Sequence, residues 1–82
     1  MTVRVLFFSI LRDLTGAESC DLTIDAEEAT VKDALAMLLS EFPKLQEWED
    51  QLLLAVNCEY ADPDDLLADG CEFAVFPPVQ GG

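Results

Sequence analysis

Few groups in this chain could do chemistry. It has no histidine, so the usual general base near neutral pH is missing. Its three cysteines, Cys20, Cys58 and Cys71, are far apart in sequence. They form no C-x-x-C pair for zinc and fall short of the four closely spaced thiolates of an iron–sulfur cluster. No serine or cysteine has a neighbouring base to activate it. The thiols are therefore expected to be buried or half-buried structural residues, kept reduced in the cytoplasm, with no metal bound. What remains is the run Pro77-Pro78-Val79-Gln80-Gly81-Gly82.

That run follows an apolar strand pattern where a solvated end should turn polar. The last charged residue is Glu72, and the final ten residues, FAVFPPVQGG, carry no charge in a chain that is 26% charged. Pro77 and Pro78 fix φ and lack amide donors, so a sheet must stop there and the chain must leave it stiff and extended. From Pro77 to Gly82 an extended chain reaches roughly 20 Å. Val79 supplies one apolar anchor. Gly81 and Gly82 have no Cβ and can thread a channel too narrow for other residues. At its far end lies the carboxylate of Gly82, inert until activation with ATP turns it into an acyl adenylate open to sulfur or nitrogen nucleophiles. The tail reads as a substrate arm, with Gly82 as the reactive group and Pro77, Pro78, Val79, Gln80 and Gly81 as the threading segment.

The elements that would hold this arm out occupy residues 1–76, with 77–82 as the extended tail. Residues 2–10, TVRVLFFSI, alternate as a strand with Val3, Val5 and Phe7 on one side and Leu6, Phe8 and Ile10 on the other. Both sides are apolar, which marks a central strand. Leu11 to Gly16 is a short connector with room for a helical turn, and Ser19 to Ile24 is a second strand with Leu22 and Ile24 inward. Thr30-x-x-Asp33 has the form of a capping box. Val31, Ala34, Leu35, Leu38, Leu39 and Phe42 then recur on one helical stripe, which Pro43 ends. Leu45 to Asp50 reads as a polar connector containing Trp48 with a short helical turn, Leu53 to Asn57 as a third strand, 62–65 and 69–70 as turns, and Glu72 to Phe76 as the last strand. A hairpin, one long crossover helix and two further strands predict an α+β fold, a mixed sheet with one main helix packed on one face. The β-grasp is the commonest small arrangement with this order.

Charge narrows the partners. Acidic residues number 17 against Arg4, Arg12, Lys32 and Lys44, a formal net charge of −13, so nucleic acid and anionic membrane surfaces would be repelled. A protein with a basic docking surface fits. No signal peptide or membrane-spanning run is apparent, since Arg4 interrupts the N-terminal apolar pattern.

The segments VLFFSILRDLTG, AVNCEY and above all DGCEFAVFPPVQGG resemble the small subunit of molybdopterin synthase, the MoaD-type ubiquitin-like sulfur carriers. The resemblance runs nearly the whole length and is most specific from Phe76 to Gly82. It implies a ubiquitin-like β-grasp that binds no cofactor itself. It implies a MoeB-type adenylating enzyme that uses Mg-ATP to form the acyl adenylate at Gly82, and a sulfur-delivering protein that converts it to a thiocarboxylate. It further implies a MoaE-type large subunit, in a heterotetramer, that holds the catalytic side chains and passes the sulfur to cyclic pyranopterin monophosphate in molybdenum cofactor biosynthesis. The family's apolar docking surface maps onto Phe8, Tyr60 and Phe76. Strand alternation agrees in part, because Phe7 and Phe8 must face opposite ways, as must Val75 and Phe76. Cys71 and Gln80 depart from the family's usual residues without touching the acyl chemistry. Two alternatives remain at this level. One is a related carrier for thiazole synthesis, tRNA thiolation or protein conjugation. The other is a β-grasp interaction module without acyl chemistry.

Overall fold

The computed structural model describes residues 1–78; Val79, Gln80, Gly81 and Gly82, four of the tail positions singled out above, lie outside the described residues. Seven strands and three helical segments follow in the order β1 (Thr2–Phe7), α1 (Ile10–Thr15), β2 (Ser19–Thr23), β3 (Ala29–Thr30), α2 (Val31–Glu41), a 3-10 helix (Pro43–Trp48), β4 (Leu53–Val56), β5 (Glu59–Tyr60), β6 (Leu66–Leu67) and β7 (Glu72–Phe76). The main sheet is ordered β2-β1-β7-β4-β5, and β3 and β6 form a separate two-stranded ladder. β1 runs parallel to β7, and the other pairs of the main sheet are antiparallel. This is the mixed sheet of an α+β β-grasp, with the first and last strands side by side at its centre.

The alternation of β1 decides which face is core. Val3, Val5 and Phe7 are buried, with Leu22 from β2 and Phe73 and Val75 from β7 on the same side. Against them α2 lays Val31, Ala34, Leu38 and Leu39, the inner half of the stripe read from the sequence. Each valine, leucine or phenylalanine among them contributes about 1.5–3 kcal/mol on full burial. The edge of Phe7 meets Phe42 at 5.4 Å between ring centroids, so the residue before Pro43 still packs inward. The capping box is formed at both ends: Asp33 N donates to Thr30 Oγ1 at 3.3 Å, and Thr30 N donates to Asp33 Oδ2 at 3.0 Å.

Three sequence expectations are corrected. Ile10 does not continue β1: Ser9 takes φ 56°, the chain turns, and Ile10 opens α1, which ends on Gly16 in the left-handed conformation that glycine adopts without penalty. The segment after Pro43 is not simply polar, because Leu45 is fully buried and anchors the 3-10 helix. The cysteines divide three ways, with Cys71 buried, Cys20 half-buried and Cys58 exposed. Cys58 is exposed because Asn57 and Cys58 form the two-residue turn between β4 and β5, both at positive φ (49° and 70°), the signature of a type I′ hairpin. Among the described residues no helix is long and apolar enough to cross a membrane.

Candidate functional site

On the face of the sheet away from α2, the rows of side chains follow from register. Leu6 of β1 pairs with Ala74 of β7, Ala74 with Ala55 of β4, and Ala55 with Tyr60 of β5. Residues paired across strands point to the same side, so these four form one transverse row. The two alanines in its middle are themselves buried, and their small size leaves a hollow between larger neighbours. The result is a cavity of about 310 Å³ walled by Leu6, Phe8, Tyr60 and Phe76 and floored by Ala55 and Ala74. Cys58 and Glu72 close its far side.

At the end of the face where β7 leaves the sheet, Phe8 and Phe76 stack with ring centroids 4.5 Å apart and planes inclined by 15°. Both are half-buried, whereas Phe7 and Val75 are in the core, so each pair divides between core and surface as alternation requires. Arg12 sits over the outer side of this stack, its guanidinium carbon 5.8 Å from the centre of the Phe8 ring, within cation–π range. Its Nε donates to the Phe7 carbonyl at 3.1 Å, which ties the side chain of α1 to the end of β1. Immediately after Phe76, Pro77 and Pro78 are half-buried and outside any strand. The chain therefore departs from the sheet beside an aromatic pair and above an apolar hollow.

At the opposite end of the open face the chemistry changes. Asp21, Arg4 and Glu72 align in register across β2, β1 and β7. Glu72 N donates to Asn57 Oδ1 at 3.0 Å, and Asn57 N donates to the Glu72 carbonyl at 2.9 Å, so the turn bearing Cys58 is pinned to β7. The open face thus grades from charged at one end to aromatic at the tail exit.

Phe8, Tyr60 and Phe76, the three residues mapped from the family resemblance, line one cavity, and Tyr60 is the most exposed of them at 79%. Cys58 was missed as part of this face; its position at the second place of an Asn-led two-residue turn was the available signal. Burial pushes the Cys20 thiol up from its ordinary value, and the carboxylates of Glu41 and Asp21 push it the same way, which leaves it a poor nucleophile. Among the described residues no three His, Cys, Asp or Glu side chains gather as a metal ion would require.

Comparison with known proteins agrees with this geometry. The model of the ThiS family matches residues 5–82. The molybdopterin synthase sulfur carrier subunit of Arabidopsis thaliana is 34% identical over 80 residues, which cover 98% of this chain and 82% of the relative. Among solved structures, SAMP1 from Haloferax volcanii superposes with a TM-score of 0.87 at 30% identity, covering all of both chains. A chain from the complex of subunits 1 and 2 of the molybdopterin-converting factor from Helicobacter pylori superposes at 0.70 with 29% identity, also over both full lengths.

Proposed function

The chain belongs to the ThiS family, and on that footing we propose that it is the sulfur-carrier subunit of a molybdopterin synthase, acting in the cytoplasm. The observation that carries the reading is the site of chain departure. β7 ends at Phe76 against Phe8, over an open apolar hollow, and an uncharged Pro-Pro run leads toward Gly81 and Gly82. An aromatic patch of this kind on an otherwise strongly acidic molecule is suited to a protein partner.

The division of labour is the one the family resemblance implies, with the catalytic side chains on the partners, and a chain with no histidine is consistent with it. A MoeB-type adenylating enzyme brings Mg-ATP. A carboxylate oxygen of Gly82 attacks the α-phosphorus, pyrophosphate leaves, and the acyl adenylate forms. Hydrosulfide released by the delivering protein then attacks the acyl carbon, AMP leaves with the mixed-anhydride oxygen, and the thiol acid loses its proton to give a thiocarboxylate. The body next docks on the MoaE-type large subunit through Phe8, Tyr60 and Phe76, with two carriers and two large subunits in the assembly. Pro77 to Gly81 direct the terminus into its pocket, where sulfur passes to the pterin precursor and the carboxylate is regenerated. The acidic body is attracted to basic surfaces beside the docking patch, which speeds encounter.

A carrier for a different acceptor, or a protein modifier, would share the acyl chemistry and differ in its partner. The curated relatives named as molybdopterin synthase subunits favour the reading given. Intact-mass analysis after incubation with the adenylating enzyme, Mg-ATP and a sulfur source tests it. Exchange of one oxygen for sulfur, located to Gly82 by fragmentation, is expected. An unchanged mass with an active adenylating enzyme would refute the acyl-carrier reading, and a thiocarboxylate that the large subunit does not consume would refute the assignment to molybdopterin.

A further inference from the structure

A second groove lies around the edge of the sheet from the apolar hollow, and Tyr60 borders both. It holds about 320 Å³, and Tyr60, Leu66, Glu59 and Asp65 are among the residues that line it. Leu66 is 65% exposed, and its exposure is imposed by the fold. β6 pairs with β3 so that Leu67 enters the core, and alternation then turns Leu66 outward. The preceding loop is fixed, since Val31 N donates to the Asp65 carbonyl and Lys32 N to the Pro63 carbonyl, each at 2.9 Å. Tyr60 stands on β5, the outermost strand of the main sheet and only two residues long.

Two apolar and two acidic residues lining one groove suit a long basic side chain, whose aliphatic stem would pack on Tyr60 and Leu66 while its charged head meets Glu59 and Asp65. We propose that this groove receives a lysine or arginine of the large subunit, from a segment that passes over Tyr60 and wraps the β5 edge. Charge complementarity favours that occupant over a second copy of the chain, which carries the same net charge of −13 and would bring like charge to the contact. Continuity through Tyr60 joins the groove to the docking patch. The inference rests on the docking reading above and adds to it a basic contact that the aromatic pair does not supply.

Titration calorimetry of the full chain against its large subunit, at low and high salt, tests it. Glu59→Gln is expected to raise Kd about fivefold at low salt, with the gap closing at high salt. Leu66→Ser is expected to raise it about fivefold at both. Leu66→Lys should weaken binding more than Leu66→Glu, because it loses the apolar contact and also repels the incoming cation. Both positions of change, Glu59 and Leu66, carry exposed side chains, so thermal midpoints should hold. If the Glu59 and Leu66 variants bind like the parent while Phe8→Ala binds poorly, this inference is wrong and the docking patch stands. If Phe8→Ala also binds normally, the docking reading fails with it. Leu66→Lys binding as well as Leu66→Glu would overturn a basic occupant, and a change confined to self-association in sedimentation would overturn the large subunit as the partner.

Discussion

Replacing Phe8 with alanine separates what the aromatic stack does for the fold from what it does for docking. Phe8 lies one residue beyond β1 and outside the core; its contacts are the stacked ring of Phe76 at 4.5 Å and the guanidinium of Arg12 at 5.8 Å. The stack is worth about 0.5–1.5 kcal/mol beyond area burial, and the half-exposed cation–π contact about 0.5–1 kcal/mol. The half-buried ring adds about 1 kcal/mol of apolar burial, so the expected loss of stability is about 2–3.5 kcal/mol. A domain of this length has about 4–12 kcal/mol in hand, so the variant should stay folded at low temperature, with its thermal midpoint lowered by roughly 10–25 °C. Docking should suffer more. Phe8 walls the apolar hollow beside the tail exit, and truncating a central aromatic anchor commonly removes 2 kcal/mol or more of binding, about thirtyfold in Kd. Calorimetry against the large subunit at a temperature well below both midpoints reads this directly. A Kd within twofold of the parent, together with the expected drop in midpoint, would show that the stack is only structural and that the docking face lies elsewhere.

Two further outcomes follow from the described geometry. The backbone and hydroxyl of Thr30 hold the Asp33 carboxyl below its ordinary value near 3.8. The stability it contributes is then present above the unfolded value and lost as pH falls through the depressed one. Asp33→Ala should lower the thermal midpoint at neutral pH, and the difference from the parent should shrink as pH falls below about 4; a difference undiminished at pH 2.5 would show that the Asp33 carboxylate does not hold the cap. Alkylation with iodoacetamide at neutral pH, followed by peptide mass mapping, should modify Cys58 first, Cys20 slowly and Cys71 last. Exposure orders the first and last, and the raised Cys20 thiol accounts for the middle. Early labelling of Cys71 would mean that the β7 side of the core opens readily.

Much of this architecture was legible in the residues because it rests on short-range rules. Alternation required Phe7 and Phe8, and Val75 and Phe76, to face opposite ways; the family resemblance picked Phe8 and Phe76 for the open side, and Phe7 and Val75 are the ones in the core. The cap at Thr30 and Asp33, and the stripe from Val31 to Leu39, were readable for the same reason. What escaped notice depends on contacts between distant segments. β3, β5 and β6 are each two residues long, too short to show a period of two, and exist because they meet partners elsewhere in the chain. Leu45 sits among Lys44, Gln46, Glu47 and Glu49, so its neighbours suggested a solvated loop. Only the space beneath the end of α2 explains its burial. Ile10 continued an apolar alternation, and nothing in the sequence signalled that Ser9 would take a positive φ and end the strand. Leu66 looked like any aliphatic residue after an acidic turn until its pairing with Thr30 fixed the direction of its side chain.

The placement of β1 beside β7 explains how so small a domain serves both its core and a partner. These are the two central strands of the main sheet, so each must bury one face under α2 while the other face stays free. Because they run parallel, their C-terminal ends lie at the same edge, and Phe8 and Phe76, both at those ends, meet. An antiparallel pairing would have sent the two aromatics to opposite edges and left the tail to emerge from a bare sheet. The chain also uses its small residues where the large ones would obstruct. Ala55 and Ala74 are nearly buried in the middle of the open face; larger side chains there would fill the hollow between Tyr60 and Leu6. The same two strands thus bring the first aromatic of the docking patch, the last one, and the point of tail departure together, and the packing that stabilises the fold also sets the direction in which Pro77 and Pro78 leave it.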